Sequence, residues 1–219
     1  PSNSSAASDV YKRQAQEQLV GGVETLFKTS SDTVVGYAND AYKTAGMSAN
    51  EYMETVTSFS ASLLASMNND TAAAAEKANV AITDMSDNAN KMGTDISLIQ
   101  NAYNGFAKQN YTMLDNLKLG YGGTKEEMQR LLDDASKLSG IKYDISSYSD
   151  VVDAIHVVQT EMGITGTTAK EASTTIEGSV SSMSSAWDNW VAGMADSEAN
   201  FSQLTSNLVD SIVTVVGNI

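Results

Sequence analysis

Histidine is the side chain best suited to proton transfer near neutral pH, and the chain holds one, His156. Asp153 and Glu161 lie nearby in sequence and could share in acid–base work. On a helix, however, residues 152 and 156 share a face. His156 is therefore expected to flank the apolar stripe of its own helix. A lone histidine in a chain without cysteine makes a poor zinc site. The pairs Glu126-Glu127 and Asp133-Asp134 are a second candidate for acid–base chemistry. They fall in the first turn and on the polar side of one short helix, where acids complement the helix dipole or meet water. Gly120-Tyr121-Gly122-Gly123-Thr124-Lys125 invites a third reading, since glycines before a helix start could cradle an anion. A Walker loop needs G-x-x-x-x-G-K-[ST] after a strand. Neither the spacing nor the strand is present, so the segment is expected to be a turn. No catalytic, cofactor-binding or metal-ligating residue is expected, and the chain is expected not to be an enzyme.

The remaining candidates are contact residues. Trp187 and Trp190 are three apart and so lie on one helix face. They belong to the most regular apolar stripe in the chain: Ile176, Val180, Met183, Trp187, Trp190 and Met194, following Ala172. Helix–helix packing is the plain expectation. Anchoring of a partner is the sharper one, because Trp is enriched at binding hot spots.

The elements that must position these residues read as helices throughout. Three capping boxes, Ser48-Ala49-Asn50-Glu51, Thr124-Lys125-Glu126-Glu127 and Thr168-Ala169-Lys170-Glu171, mark helix starts. Met53, Val56, Phe59, Leu63 and Met67 recur at helical spacing after the first. Asn68-Asn69-Asp70 ends that helix and Thr71 is expected to cap the next, which carries a short heptad stripe of Ala78, Ile82, Met85, Ala89 and Met92. Gly93, Gly140 and Gly163 read as stops, with Thr94 and then Ser149-Asp150 opening new helices. Gly178 and the serines around it weaken the last stripe's intrinsic helicity, and Gly193 to Ser197 is an expected interruption. Phe201, Leu204, Leu208, Ile212, Val215 and Ile219 continue the helical pattern. No alternation of period two supports a strand. The expected fold is all-α, with short-to-medium amphipathic helices joined by Gly turns and a longer, coiled-coil-like C-terminal part.

Composition agrees. The single proline is Pro1, so no later residue carries the cost of about 3 kcal/mol that proline brings to a helix interior. With no cysteine there are no disulfides or thiolate sites. The net charge of −14 repels phosphate backbones and argues against general nucleic-acid binding. No run approaches the roughly 20 apolar residues of a membrane span. Membrane contact is expected only through sequence beyond Ile219.

Residues Ser4-Ser-Ala-Ala-Ser-Asp-Val-Tyr-Lys-Arg-Gln14 match the in-frame translation of a transposase-type sequencing-library adapter. Residues 1–14 are accordingly expected to be a non-native, disordered segment. The native start is expected to lie outside the chain, and the sequence leaves open whether Ile219 is a native end.

Several long strings resemble tape measure proteins of long-tailed bacteriophages and prophages of Gram-positive bacteria. These are Asp84-Met-Ser-Asp-Asn-Ala-Asn-Lys-Met-Gly93, Asp115-Asn-Leu-Lys-Leu-Gly-Tyr-Gly-Gly-Thr-Lys-Glu-Glu-Met-Gln-Arg-Leu-Leu132, Gly140-Ile-Lys-Tyr-Asp144 and Met162-Gly-Ile-Thr-Gly-Thr-Thr-Ala-Lys-Glu-Ala-Ser-Thr-Thr-Ile-Glu-Gly-Ser179, with the Trp187 segment after them. The resemblance implies a structural virion protein that is assembled in the host cytoplasm. Such a protein lies in the tail-tube lumen, sets tail length and leaves on genome ejection. It implies self-association and contact with tail-assembly chaperones and the tail tube protein, and no cofactor. Residues 15–163 are then expected to be a Gly-broken helical region and 167–219 a set of extended, truncated amphipathic helices. The alternatives are a bacterial helical coiled-coil effector and the stalk of a muralytic virion protein.

Overall fold

The computed structural model is all-helical, with no strand among the described residues. It describes residues 2–194 and 200–219, with side chains from residue 15 on. In order come α1 (Ser2–Phe27), a 3-10 turn (Lys28–Ser30), α2 (Ser31–Thr44), α3 (Ala49–Ser66), α4 (Thr71–Met92) and α5 (Ile96–Phe106). A second 3-10 turn (Leu114–Leu117) precedes α6 (Lys125–Ser139), α7 (Tyr148–Glu161), α8 (Thr167–Thr174), α9 (Ile176–Met194) and α10 (Phe201–Asn218). The adapter-like segment expected to be disordered is helical from Ser2 on, as the start of α1, and the side chains of 1–14 lie outside the description. The expected break at 193–197 falls mostly on 195–199, which also lie outside it.

Local chemistry sets the helix ends. The Ser48 box closes: Ser48 N–H donates to Glu51 Oε2 at 2.8 Å and Glu51 N–H donates to Ser48 Oγ at 3.4 Å. Gly93 and Gly140 end α4 and α6 in the left-handed region, at φ +61° and +73°, where glycine carries no Cβ penalty. Other caps sit one or two residues from the expected ones. Asp70, not Thr71, caps α4 by accepting from Ala73 N–H at 3.1 Å. Asp95, not Thr94, caps α5 by accepting from Ser97 N–H at 2.8 Å. Ser147, not Ser149, caps α7. In the first two cases a short carboxylate competes with threonine and makes the charge-assisted bond. The third box is not a cap, since α8 starts at Thr167 and Thr168 lies inside it.

Packing divides the chain into two compact units, Pro1–Glu54 with Thr168–Ile219, and Thr55–Thr167. This differs from the expected split into 15–163 and 167–219. The residues before Thr55 group with the C-terminal helices, because α9 packs on α2 and α1. The C-terminal helices are not extended either, since α9 and α10 pack along one another.

The Thr55–Thr167 unit has a dense core in which Phe59, Ile82, Met85, Ile99, Leu117 and Ile155 are almost wholly buried. Tyr103, Phe106 and Tyr111 form a chain of rings with centroids 5.8 and 6.1 Å apart. Helix α4 runs through the middle and is buried on more than one side, polar residues included. Asp87 is fully buried and accepts from Gly166 N–H at 2.6 Å, which ties down the segment before α8.

In the other unit, Val23, Phe27, Val34, Ala38 and Ala41 of α1 and α2 are fully buried. The expected single stripe from Ala172 to Met194 is broken between α8 and α9. Gly178 lets the first turn of α9 approach the end of α8: a Cβ there would stand 2.5 Å from the Glu171 carbonyl carbon and oxygen.

Candidate functional site

The contact residues expected on α9 separate into two sets. Met183 and Trp190 pack against a cluster of Tyr42, Ala186 and Leu208. Ile176, Val180, Trp187 and Met194 face outward, between 43 % (Val180) and 55 % (Met194) exposed. What α9 buries is its small and polar face: Ser179, Ser182, Ser185, Ala186, Asn189 and Gly193.

That inversion has a local cause. Small side chains let the α9 backbone come close to its neighbours, as dispersion favours, and three polar atoms of that face find backbone partners, while Asn189 Nδ2 is buried without one. Ala49 N–H, one of the orphan donors of the first turn of α3, donates to Asn189 Oδ1 at 2.8 Å. Ser185 Oγ donates to the Gly46 carbonyl at 3.3 Å, and Ser179 Oγ to the Ile176 carbonyl of its own helix at 3.0 Å. Asn189→Ala leaves the Ala49 N–H unpaired. The expected cost is about 1–2 kcal/mol, read by urea denaturation; Asn189→Asp, which keeps the acceptor, is expected to lose less. Equal losses for the two variants would refute the capping role.

Helix α10 runs back antiparallel. Trp190 Nε1 donates to Thr205 Oγ1 at 3.1 Å near one end, and Asn218 Nδ2 donates to the Ser173 and Thr175 carbonyls at 3.4 and 3.2 Å near the other. Trp190 also stacks on Trp187 and meets Phe201 in a tilted contact, each with ring centroids 5.4 Å apart. Asn207, Leu208, Ser211 and Val215 of α10 are buried, while Phe201, Ile212 and Val216 are exposed. The small residues of α9 recur at the same helical period as the apolar ones, so periodicity alone does not decide which stripe is buried.

His156 has a different partner from those expected. Its Nδ1 lies 2.9 and 3.0 Å from the two carboxylate oxygens of Asp84 on α4, across 72 residues of sequence. Asp153 instead pairs with Lys77, and Glu161 is exposed at the end of α7. Asp84 is 1 % exposed. Burial pushes its carboxyl up from the usual range, against the pull of His156. The hydrogen bond to Asp84 in turn raises the imidazole, against partial burial. This pair can orient an imidazole and hold a proton in the interior. Beneath it, Tyr103 and Gln159 are wholly buried. Among the described residues, no group of three His, Asp or Glu side chains is placed to hold a metal ion.

The glycine-rich turn is closed by the chain's own charges. Gly122 N–H, a donor an anion would need, donates to Glu127 Oε2 at 3.0 Å. Arg130 donates to the Gly120 carbonyl at 2.8 Å and also to Glu127, and its guanidinium lies 4.3 Å from the Tyr121 ring centroid. The hydrogen bond from Arg130, helped by Gly122, holds the Glu127 carboxyl down at about 2. Asp133 and Asp134 are likewise engaged locally. Asp134 accepts from Tyr121 Oη at 3.1 Å and from Lys137 Nζ at 2.8 Å, and Asp133 accepts from Gln129 at 3.0 Å.

No helix among the described residues is long and apolar enough to cross a membrane. Comparison with protein-family models, with curated proteins and with solved structures returned no match.

Proposed function

We propose that the chain is a structural, non-enzymatic segment of a phage tape measure protein, working through helix–helix association during tail assembly. The observation that carries this reading is the outward apolar face of the α9–α10 hairpin, on which Trp187 is 52 % exposed. A chain that exposes a contiguous apolar face is built to bring it against something. The sequence strings quoted above, from Asp84 to the Trp187 segment, supply the identity of the assembly. The finer expectations follow from the same resemblance: a place in the tail-tube lumen, contacts with assembly chaperones and tube protein, release on ejection, and coiled-coil-like packing of the C-terminal part.

Helix lengths refine the role. A ruler needs long uninterrupted helix, at 1.5 Å per residue. In residues 55–167 the longest complete helix is α4, of 22 residues, and left-handed glycines close α4 and α6. This part is a folded, jointed portion of the protein and not the measuring rod.

The test is the uninterrupted reading frame and its neighbours. A frame extending on both sides into long helical sequence, with tail-tube and assembly-chaperone genes upstream, is the expected result. A frame flanked by no tail genes, or one that runs into a peptidoglycan-hydrolase domain with activity on zymograms, would overturn the reading in favour of an effector or a muralytic stalk.

A further inference from the structure

We propose that the core of the Thr55–Thr167 unit binds an ordered water molecule between Tyr103 of α5, Gln159 of α7 and the Asp84–His156 pair, joining α4, α5 and α7 in a single hydrogen-bonded network. The site lies inside one unit, so it stands whatever the chain assembles with.

Three helices bring these groups together. Asp84 sets both carboxylate oxygens against His156 Nδ1, and each oxygen keeps a further lone pair. His156 and Gln159 are three apart on α7 and share a face. Burial pushes the Tyr103 hydroxyl well above its ordinary range; the charge of Asp84 pushes the same way, and the Gln159 amide beside it pulls against both. Asp84, Tyr103 and Gln159 thus act on one place. Yet Tyr103 Oη, Gln159 Nε2 and Gln159 Oε1 are sealed from bulk water with no hydrogen-bond partner among the described residues. The amide stands next to the hydroxyl without the alignment of a bond. Buried polar side-chain atoms are nearly always bonded, to protein or to ordered water. A direct Tyr103–Gln159 bond would satisfy one amide atom and leave the other bare.

Hydrogen-bond chemistry selects the occupant. Gln159 Nε2 needs an acceptor, Gln159 Oε1 needs a donor, and the Tyr103 hydroxyl serves as either. A metal cation offers the amide nitrogen no acceptor. An anion offers the amide oxygen no donor and is opposed by Asp84. Water offers both. It can close a ring on a primary amide, accepting from the nitrogen and donating to the oxygen. Its second lone pair can take the Tyr103 proton, and its second proton can go to Asp84. Such a set of polar partners is what holds a buried water. Tyr103 and Gln159 are wholly buried and Asp84 almost so. The occupant therefore enters only through fluctuations of the unit, which favours the smallest molecule.

The experiment is oxygen-17 relaxation dispersion of the solvent with the full chain, which counts waters held longer than the protein takes to tumble. The double variant Tyr103→Phe, Gln159→Leu is expected to lose the contribution of about one water relative to the parent, with unchanged circular dichroism. An unchanged dispersion overturns the proposal. Tyr103→Phe alone is expected to lower the urea midpoint, because it removes a bonded hydroxyl. A raised or equal midpoint overturns the proposal, since the hydroxyl is then dry and unbonded. A lowered midpoint with no loss of dispersion in the double variant overturns it in favour of a direct Tyr103–Gln159 bond. Should the double variant fail to fold, the parent chain decides. Direct cross-relaxation between water and the Gln159 side-chain amide protons supports the site, and its absence overturns it.

Discussion

Gly123→Ala is expected to destabilise the Thr55–Thr167 unit by about 3 kcal/mol, the upper end of the usual cost of overpacking. A Cβ at Gly123 would stand inside 3.0 Å of the Thr112 carbonyl oxygen and carbon. Both are backbone atoms, so no rotamer change relieves the clash. The turn cannot easily shift either. Gly122 is held by Glu127, Gly120 by Arg130, and Thr124 caps α6 by accepting from Glu127 N–H at 3.2 Å. Gly120→Ala is the informative comparison. Nothing lies within 4 Å of a Cβ there, but the residue sits at φ +87°. Its cost is expected to be the smaller one of a side chain in the left-handed region, about 1 kcal/mol. Denaturant midpoints of the two variants measure the difference, and equal midpoints would remove the crowding explanation.

His156→Ala is expected to cost about 2 kcal/mol at pH 6. Removing one partner of a buried pair typically costs about 3–5 kcal/mol. The lower figure allows for solvent screening, because the imidazole is 38 % exposed. The loss is the burial of Asp84 without its partner, so Asp84→Asn in the same background is expected to recover most of it. No recovery would show that His156 acts by packing alone. The pH dependence has a definite sign. Both folded values are raised, so the folded state binds more protons than the unfolded one and stability falls as pH rises. The histidine contribution is complete below its ordinary 6.5 and is lost as pH climbs through the raised folded value. The Asp84 contribution is complete below 3.8 and is lost in the same direction. Thermal midpoints from pH 5 to 9 are therefore expected to decline in the parent chain above pH 6.5. The alanine variant lacks that step.

Residues that act on near neighbours were legible from sequence. Ser48 closes its box on both legs, Thr124 caps by its side chain while Glu127 reaches back to Gly122 instead of the Thr124 N–H, and Gly93 and Gly140 stop helices by a backbone conformation that needs no tertiary partner. Asp70 and Asp95 show the limit of that reading: two cap-forming residues stood side by side, and the charged one held the helix. The pairing of His156 with Asp84 was not legible, because it depends on how α7 lies against α4. The direction in which α9 faces was also hidden. Two stripes of equal period share that helix, and hydropathy alone assigns the apolar one to the interior. Asn189 and Ser185 decide otherwise because the turn at Gly46 to Ala49 offers a carbonyl and an N–H for them to satisfy.

The outward face of α9 and α10 sits on a chain of charge −14, and the two properties oppose each other in solution. In dilute buffer, like charge keeps molecules apart, over a Debye length of about 30 Å at 0.01 M ionic strength. At 0.15 M that length shrinks to about 8 Å, and the apolar attraction, which salt does not screen, remains. Adding salt is therefore expected to drive these molecules together, as they cease to be held apart by their own acidity.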